Sequence, residues 1–228
     1  MYLSVPSYVI PGTYLENVRL ISSLNLVHSV ELLFYLFDPD TEELFLKEKE
    51  GIELHNTKLG FSVHMPDRLL AEHEKIIKLT WELASRYILH PPDGDSEQFI
   101  KIVSGWTENY GKCFLLENIN GRAFQSILGR IEGLRVCMDT GHLLMEGKSP
   151  VTFFSRFEES TLEIHLHGVK DGKDHNPVKQ DEEWLKSMIP LLKRFKGTLN
   201  IELFSLKHIR ETLQSLRYHG IVEEAVDF

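Results

Sequence analysis

"VCMDTGHLLMEG", residues 136–147, and "LEIHLHGVKDGKDHN", residues 162–176, share one plan: a strand-like apolar run ends in a carboxylate or an imidazole just where the chain turns. The same plan recurs outward in both directions. Apolar or β-branched runs stand at "LSVPSYVI" (3–10), "SVELLFY" (29–35), "KLGFSVHM" (58–65), "RYILHP" (86–91), "KCFLLEN" (112–118), "LRVCMD" (134–139), "TLEIHLHG" (161–168) and "TLNIELF" (198–204). Between several of them lie segments that are apolar at i, i+3 and i+4. These are "TYLENVRLISSL" (13–24), "MPDRLLAEHEKIIKLTWELA" (65–84), "SEQFIKIVSGWTENY" (96–110), "DEEWLKSMIPLLKRF" (181–195) and "SLKHIRETLQSL" (205–216), with Asp181 and Ser205 placed as N-caps. Eight strands alternating with helices predict an α/β protein, a single compact (β/α)8 TIM barrel over residues 1–228. A doubly wound open sheet is the alternative, but no GxGxxG follows the first strand.

Composition is consistent with this plan. The 228 residues, 42% hydrophobic and 26% charged, suffice for one sizeable core. A formal charge of −9 repels polyanions and argues against nucleic acid as a partner. "MYLSVPSYVIPG" lacks the basic and apolar blocks of a signal peptide, and no run approaches a bilayer span, so no membrane partner and a cytoplasmic location are expected. Cys113 and Cys137 sit in apolar runs and read as buried reduced thiols. Oligomeric state is left open.

Barrel geometry gives the strand-end residues a common destination. His64 ends the third strand, His90 the fourth, Glu117 the fifth, Asp139 the sixth, His165 and His167 the seventh, and Glu202 lies near the end of the eighth. The C-terminal ends of barrel strands share one mouth, where active sites sit. Imidazoles with carboxylates are the donors that suit zinc, manganese or iron. Asp139 and His142 are three apart across a turn eased by Gly141, and His165 and His167, two apart on a strand, point the same way. A lone strand-end histidine is ordinarily structural; a set on consecutive strands is not. His55, His73, His208 and His219 are expected to face solvent, and His28 to precede the second strand.

The segments "SVHMP", "ILHPP", "LLENING", "CMDTGH", "IHLHG" with "DH", and "IELF" resemble the xylose-isomerase-like barrel superfamily, especially its apurinic-site endonuclease branch. The resemblance implies a phosphodiesterase centre of two or three divalent transition-metal ions, zinc foremost, on His64, His90, Glu117, Asp139, His142, His165, His175 and Glu202. It also implies an Asp two residues before His175, where this chain has Lys173; Asp174 is the substitute taken here, with Asp171 the other candidate. Glu117, mid-barrel, is expected to be the bridging catalytic carboxylate, and His167 a ligand, a neighbour that orients ligands, or a substrate contact. "SYVIPGTYLENVRLISS" (7–23) followed by "VHSVELLFY" (27–35) resembles the cobamide-remodelling phosphodiesterases. That likeness implies a small-molecule substrate, a cobamide, cleaved to cobinamide phosphate and α-ribazole, and Tyr8 and Tyr35 stand where they would cover a planar base or corrin edge. Two alternatives remain. One is a sugar isomerase or epimerase with one ion on Glu117, Asp139, His165 and Glu202, and the other is an apurinic-site endonuclease.

Overall fold

The computed structural model describes residues 1–111 and 113–222; Lys112, with which the fifth strand was expected to begin, and the last six residues of the expected domain lie outside the described residues. Eight strands close a barrel in which every neighbouring pair is parallel. They are β1 (Tyr2–Pro6), β2 (Ser29–Leu33), β3 (Gly60–His64), β4 (Ala84–Leu89), β5 (Phe114–Glu117), β6 (Arg135–Asp139), β7 (Thr161–His165) and β10 (Thr198–Asn200). Each falls within two residues of the start of its predicted run. An antiparallel hairpin, β8 (Gly168–Lys170) and β9 (Lys173–Asn176), follows β7 and stands outside the barrel.

Helices α1 (Tyr14–Leu24), α4 (Ser96–Tyr110), α8 (Glu183–Arg194) and α9 (Leu206–Tyr218) occupy the predicted segments. The helix expected over 65–84 is shorter: a single 3-10 turn at 71–73 leads into α3 (Glu74–Thr80), because Pro66 and the polar residues after it leave the first third without helical bonds. Four further helices were not predicted: α2 (Pro39–Glu53), α5 (Gly121–Ile127), α6 (Thr140–Met145) and α7 (Pro150–Phe157). Helix α2 buries only Phe45 and Ile52, too little apolar periodicity to stand out. Its start is nonetheless written locally, since Asp38 caps the Thr41 N–H at 2.8 Å and Pro39 occupies the first turn. The cap of α8 is Glu182 rather than Asp181, and Ser205 caps α9 by position without a side-chain hydrogen bond.

The main core lies between strands and helices, built from residues such as Val30, Phe45, Phe61, Tyr87, Phe114, Phe124 and Leu199. Within the barrel, Ile88, Leu115 and Cys137 form a small separate apolar cluster. Leu115 and Cys137 lie two residues before Glu117 and Asp139, so period-2 alternation puts this cluster directly beneath those carboxylates. Cys137 is buried as expected and Cys113 is half-buried, both reduced. Among the described residues no helix is long and apolar enough to cross a membrane.

Candidate metal centre

The parallel register brings the strand ends level: His64 ends β3, Glu117 ends β5, Asp139 ends β6 and His165 ends β7, while His90 and Glu202 follow within two residues of β4 and β10. Local bonds then set each group. Asn118 clamps the Asp139 backbone on both sides, accepting its N–H at 2.6 Å and donating to its carbonyl at 3.1 Å. Asp139 in turn caps α6, its Oδ1 accepting the His142 N–H at 2.6 Å, which turns the His142 ring toward Glu117 at 3.5 Å. The Thr140 hydroxyl bonds the carbonyls of His165 and His167 and ties this corner to the end of β7.

Four of the imidazoles, those of His64, His90, His165 and His175, follow one rule. His64 donates Nδ1–H to the Met65 carbonyl at 3.0 Å and turns Nε2 to Glu117 at 3.5 Å. His90 holds Asp67 through Nδ1 at 3.2 Å and faces Glu117 through Nε2 at 3.3 Å. His165 meets Glu31 through Nε2 at 3.2 Å, leaving Nδ1 at 3.2 Å from Glu202 and 3.5 Å from Glu117. His175 meets Asp174 through Nδ1 at 3.1 Å and points Nε2 at Glu202, 3.7 Å away. One nitrogen is fixed from behind and the other presented to a shared centre, the arrangement in which metal-binding histidines are held.

His167 breaks the rule. Its Nδ1 accepts the His175 N–H at 2.9 Å, so the ring proton sits on Nε2 and is donated to Asp139 Oδ2 at 2.9 Å. In this arrangement His167 orients Asp139 and anchors His175. It also lies beyond the end of β7 rather than on the strand with His165. Gly141 is required for this contact and not for a bend, since a Cβ there would lie 2.0 Å from His167 Cε1. His175 has a left-handed backbone (φ 51°), a conformation a non-glycine residue adopts at some cost. The hairpin turn beneath it is Asp171–Gly172, both with positive φ, which places Asp171 at the exposed tip, away from the centre. Asp174 stands behind His175 and in none of the convergent donor groups.

Those groups are His64–Glu117–His165, Glu31–His165–Glu202, His167–His175–Glu202 and Glu117–Asp139–His142, each with donor atoms within 4.8 Å of one another. The fit to cations is tested by the atoms left over. Glu117 Oε2, Glu202 Oε2 and His165 Nδ1 are buried, converge on one another and have no hydrogen-bond partner among the described residues. Glu31, Glu117, Asp139 and Glu202 are all buried, and among the described residues no lysine or arginine pairs with any of them. Four carboxylates buried this way need positive charge. Burial alone would raise Glu117, yet the His90 and His64 imidazoles hold it well below the usual carboxylate range. Glu202, also buried, is held down by His165 and His175. Burial lowers His90, but Glu117 and Asp67 overcome that and push it up to about 10. The donor set therefore fits divalent ions.

Tyr8 and Tyr35 line one cavity beside the centre. Tyr35 packs edge-on to His64 with ring centroids 5.2 Å apart, and burial together with Glu202 keeps its phenol protonated. His73 departs from expectation: it is buried, accepts the Leu70 N–H at 3.2 Å and packs against Phe37, because the turn at 71–73 folds its ring inward. His55, His208 and His219 are half-exposed and His28 exposed, all away from the centre. Sequence reasoning missed Glu31, Asp67 and Asn118. Glu31 carried a signal, a lone acid inside the apolar run "SVELLFY".

Comparison with solved structures places this fold among known barrels. D-psicose 3-epimerase, solved in the presence of D-fructose, superposes with a TM-score of 0.69 at 13% identity over 96% of this chain and 98% of that one. The probable 3-DHS dehydratase involved in petrobactin synthesis from Bacillus anthracis gives 0.65 at 13%, covering 95% and 98%. An AP endonuclease, family 2, from Brucella melitensis gives 0.64 at 16%, covering 97% and 99%. The chain shares the (β/α)8 barrel fold of these proteins. No protein-family model and no curated protein matches it.

Proposed function

We propose that this chain is a divalent-metal-dependent enzyme that hydrolyses a small phosphodiester, and that the diester is the nucleotide-loop phosphoester of a cobamide. The likeness to an epimerase, a dehydratase and an endonuclease supports an enzyme on this fold. What carries the hydrolytic reading is the number of donors. Leaving aside the supporting Glu31 and His167, the convergent groups still hold seven donors, His64, Glu117, Asp139, His142, His165, His175 and Glu202, and His90 faces Glu117 at 3.3 Å, more than one tetrahedral ion accommodates. The cobamide itself is supported only by the resemblance of residues 7–35.

His64, His90, Glu117, Asp139, His142, His165, His175 and Glu202 would hold the ions. Bound divalent cations would neutralise the phosphate and supply a nucleophile at neutral pH. Glu117, central and faced by the imidazoles of His64, His90, His142 and His165, would hold the ions and orient the attacking water. Glu31, Asp67, Asp174 and His167 keep the donors in place, so little reorganisation is needed during the reaction. Water adds to phosphorus, the bond to the ribose oxygen breaks, and that oxygen leaves protonated as the nucleoside.

A second reading, sugar isomerisation or epimerisation with one ion on Glu117, Asp139, His165 and Glu202, has the wider support among the structural likenesses, since D-psicose 3-epimerase superposes well over nearly the whole chain. A third, apurinic-site endonuclease activity, is supported by the likeness to an AP endonuclease but opposed by the net charge of −9. One assay series separates the three: metal-loaded protein with a cobamide, a ketohexose and abasic DNA. The proposal expects cobinamide phosphate and α-ribazole from the first, and little turnover of the others. Epimerised sugar without cobamide cleavage overturns it, as does incision of abasic DNA with steep salt dependence.

A further inference from the structure

Two unlike cavities flank the metal centre. On the β4–β5 side, a cavity of about 670 Å³ includes His90 and is bordered by Asp67, Arg68, Asp93 and Asp95. On the β1–β2 side, a cavity of about 500 Å³ is lined by Ser7, Tyr8, Tyr14, Tyr35, Leu44 and Phe204 among others, and among the described residues no charged side chain borders it. Its inner wall joins the centre, because Tyr35 packs on His64 and Phe204 packs on His175 with centroids 4.9 Å apart.

This second cavity is built in advance. Asn17, fully buried, accepts the N–H groups of Val9 and Ile10 and donates to the carbonyls of Ile10 and Thr13, fixing the loop that carries Tyr8. The Tyr14 hydroxyl is spent on the Leu33 carbonyl at 2.8 Å, so that ring offers only its apolar body. Ser7 is buried and accepts the Leu33 N–H at 3.0 Å, which leaves its own proton free for an acceptor. Aromatic faces, no charge and a few spare hydroxyl donors, of which Ser7 is the most buried, describe a site for a flat, neutral ring bearing an acceptor nitrogen or oxygen.

We propose that the β1–β2 cavity seats the planar, uncharged heterocycle of a nucleoside arm of the diester, and that the polar arm crosses His90 into the other cavity. The assignment of arms rests on the diester reading, whereas binding of the heterocycle does not require hydrolysis. The test is calorimetric titration of a benzimidazole riboside into metal-loaded and into chelator-treated protein, with ribose as control and hydrolysis of bis(4-nitrophenyl) phosphate followed in parallel. The riboside should bind in both metal states and ribose should not. Tyr8→Ala removes one stacking face from a half-exposed position and should weaken riboside binding about tenfold, with Tyr8→Phe restoring it. Leu44→Trp fills the cavity from α2 and should abolish it. Metal content should be unchanged in all three variants. Riboside affinity indifferent to both Tyr8→Ala and Leu44→Trp, or no tighter than that of ribose, overturns the assignment. Riboside binding that responds to both, without turnover of any diester, keeps the cavity and removes the hydrolase reading. Diester turnover with indifferent riboside binding does the reverse.

Discussion

The barrel encloses buried charge in two places, and they are handled differently. Toward the N-terminal end, Glu163 is buried beside Arg86, whose guanidinium reaches its carboxylate at 3.4 Å and also donates to the Leu162 carbonyl at 3.0 Å and the Thr198 hydroxyl at 2.9 Å. Burial and Glu31 still raise Glu163 to about 7, so near neutrality its charge is partly removed by a proton. Toward the mouth, Glu31, Glu117, Asp139 and Glu202 have imidazoles and, among the described residues, no lysine or arginine, and two of their oxygens have no partner there. Glu163 has a cation supplied by the chain itself, although its Oε1, too, lacks a partner among the described residues, while the mouth carboxylates receive a cation only from something that binds. Buried ionic groups left half-satisfied cost stability, and they persist where function needs them.

The widest separation between the two regions should come from a matched pair of isosteres. Glu117→Gln removes the central charge that holds cations, so turnover should fall by about a thousandfold or more while substrate binding partly survives. Glu163→Gln keeps a hydrogen-bond acceptor for Arg86, and steady-state assays should find turnover within about threefold of the parent. Comparable losses in both would erase the distinction.

Chelation tests the same contrast through stability. Stripping divalent ions leaves the mouth carboxylates uncompensated, and a ligand at about a thousand times its Kd contributes roughly 4 kcal/mol. For a domain of this size that corresponds to a fall in Tm of about 10 °C by calorimetry. An unchanged Tm would mean that no cation completes the site. A finer probe is Glu31→Gln, which keeps the shape behind His165 but weakens its hold on the imidazole. Metal affinity should drop about 10- to 100-fold by competition with a chelating dye. The smallest expected effect lies outside both regions. Burial pushes the Cys113 thiol up to about 11, above its unfolded value, so its contribution to stability is intact below about pH 9 and is lost as pH rises through 11. Alkylation of the native chain should stay slow at pH 8 and accelerate only toward pH 11.

The strands were legible because each is a short apolar run, and the candidate donors were legible because they stand at the ends of those runs. His64, Glu117, Asp139 and His165 needed only the rule that strand ends meet at one mouth. What escaped lies in single polar residues whose partners are distant in sequence. Glu31 finds His165 134 positions away, and Asp67 bonds His90 from a loop. Helix α2 escaped because its face is mostly polar, and His73 was misjudged because a short turn, not a helix, sets its direction. Gly141 suggested an eased bend in the sequence, but the ring of His167 above it is the cause. Asp171, the other candidate that the resemblance offered, stands in the exposed hairpin turn.

The mouth is expected to hold more than one cation, because its donors exceed what one ion accommodates. Elemental analysis of protein purified with divalent metal supplied, expressed per chain, tests this directly. Two or three transition-metal ions per chain are predicted, and a stoichiometry of one or less would contradict the account and favour the single-ion isomerase.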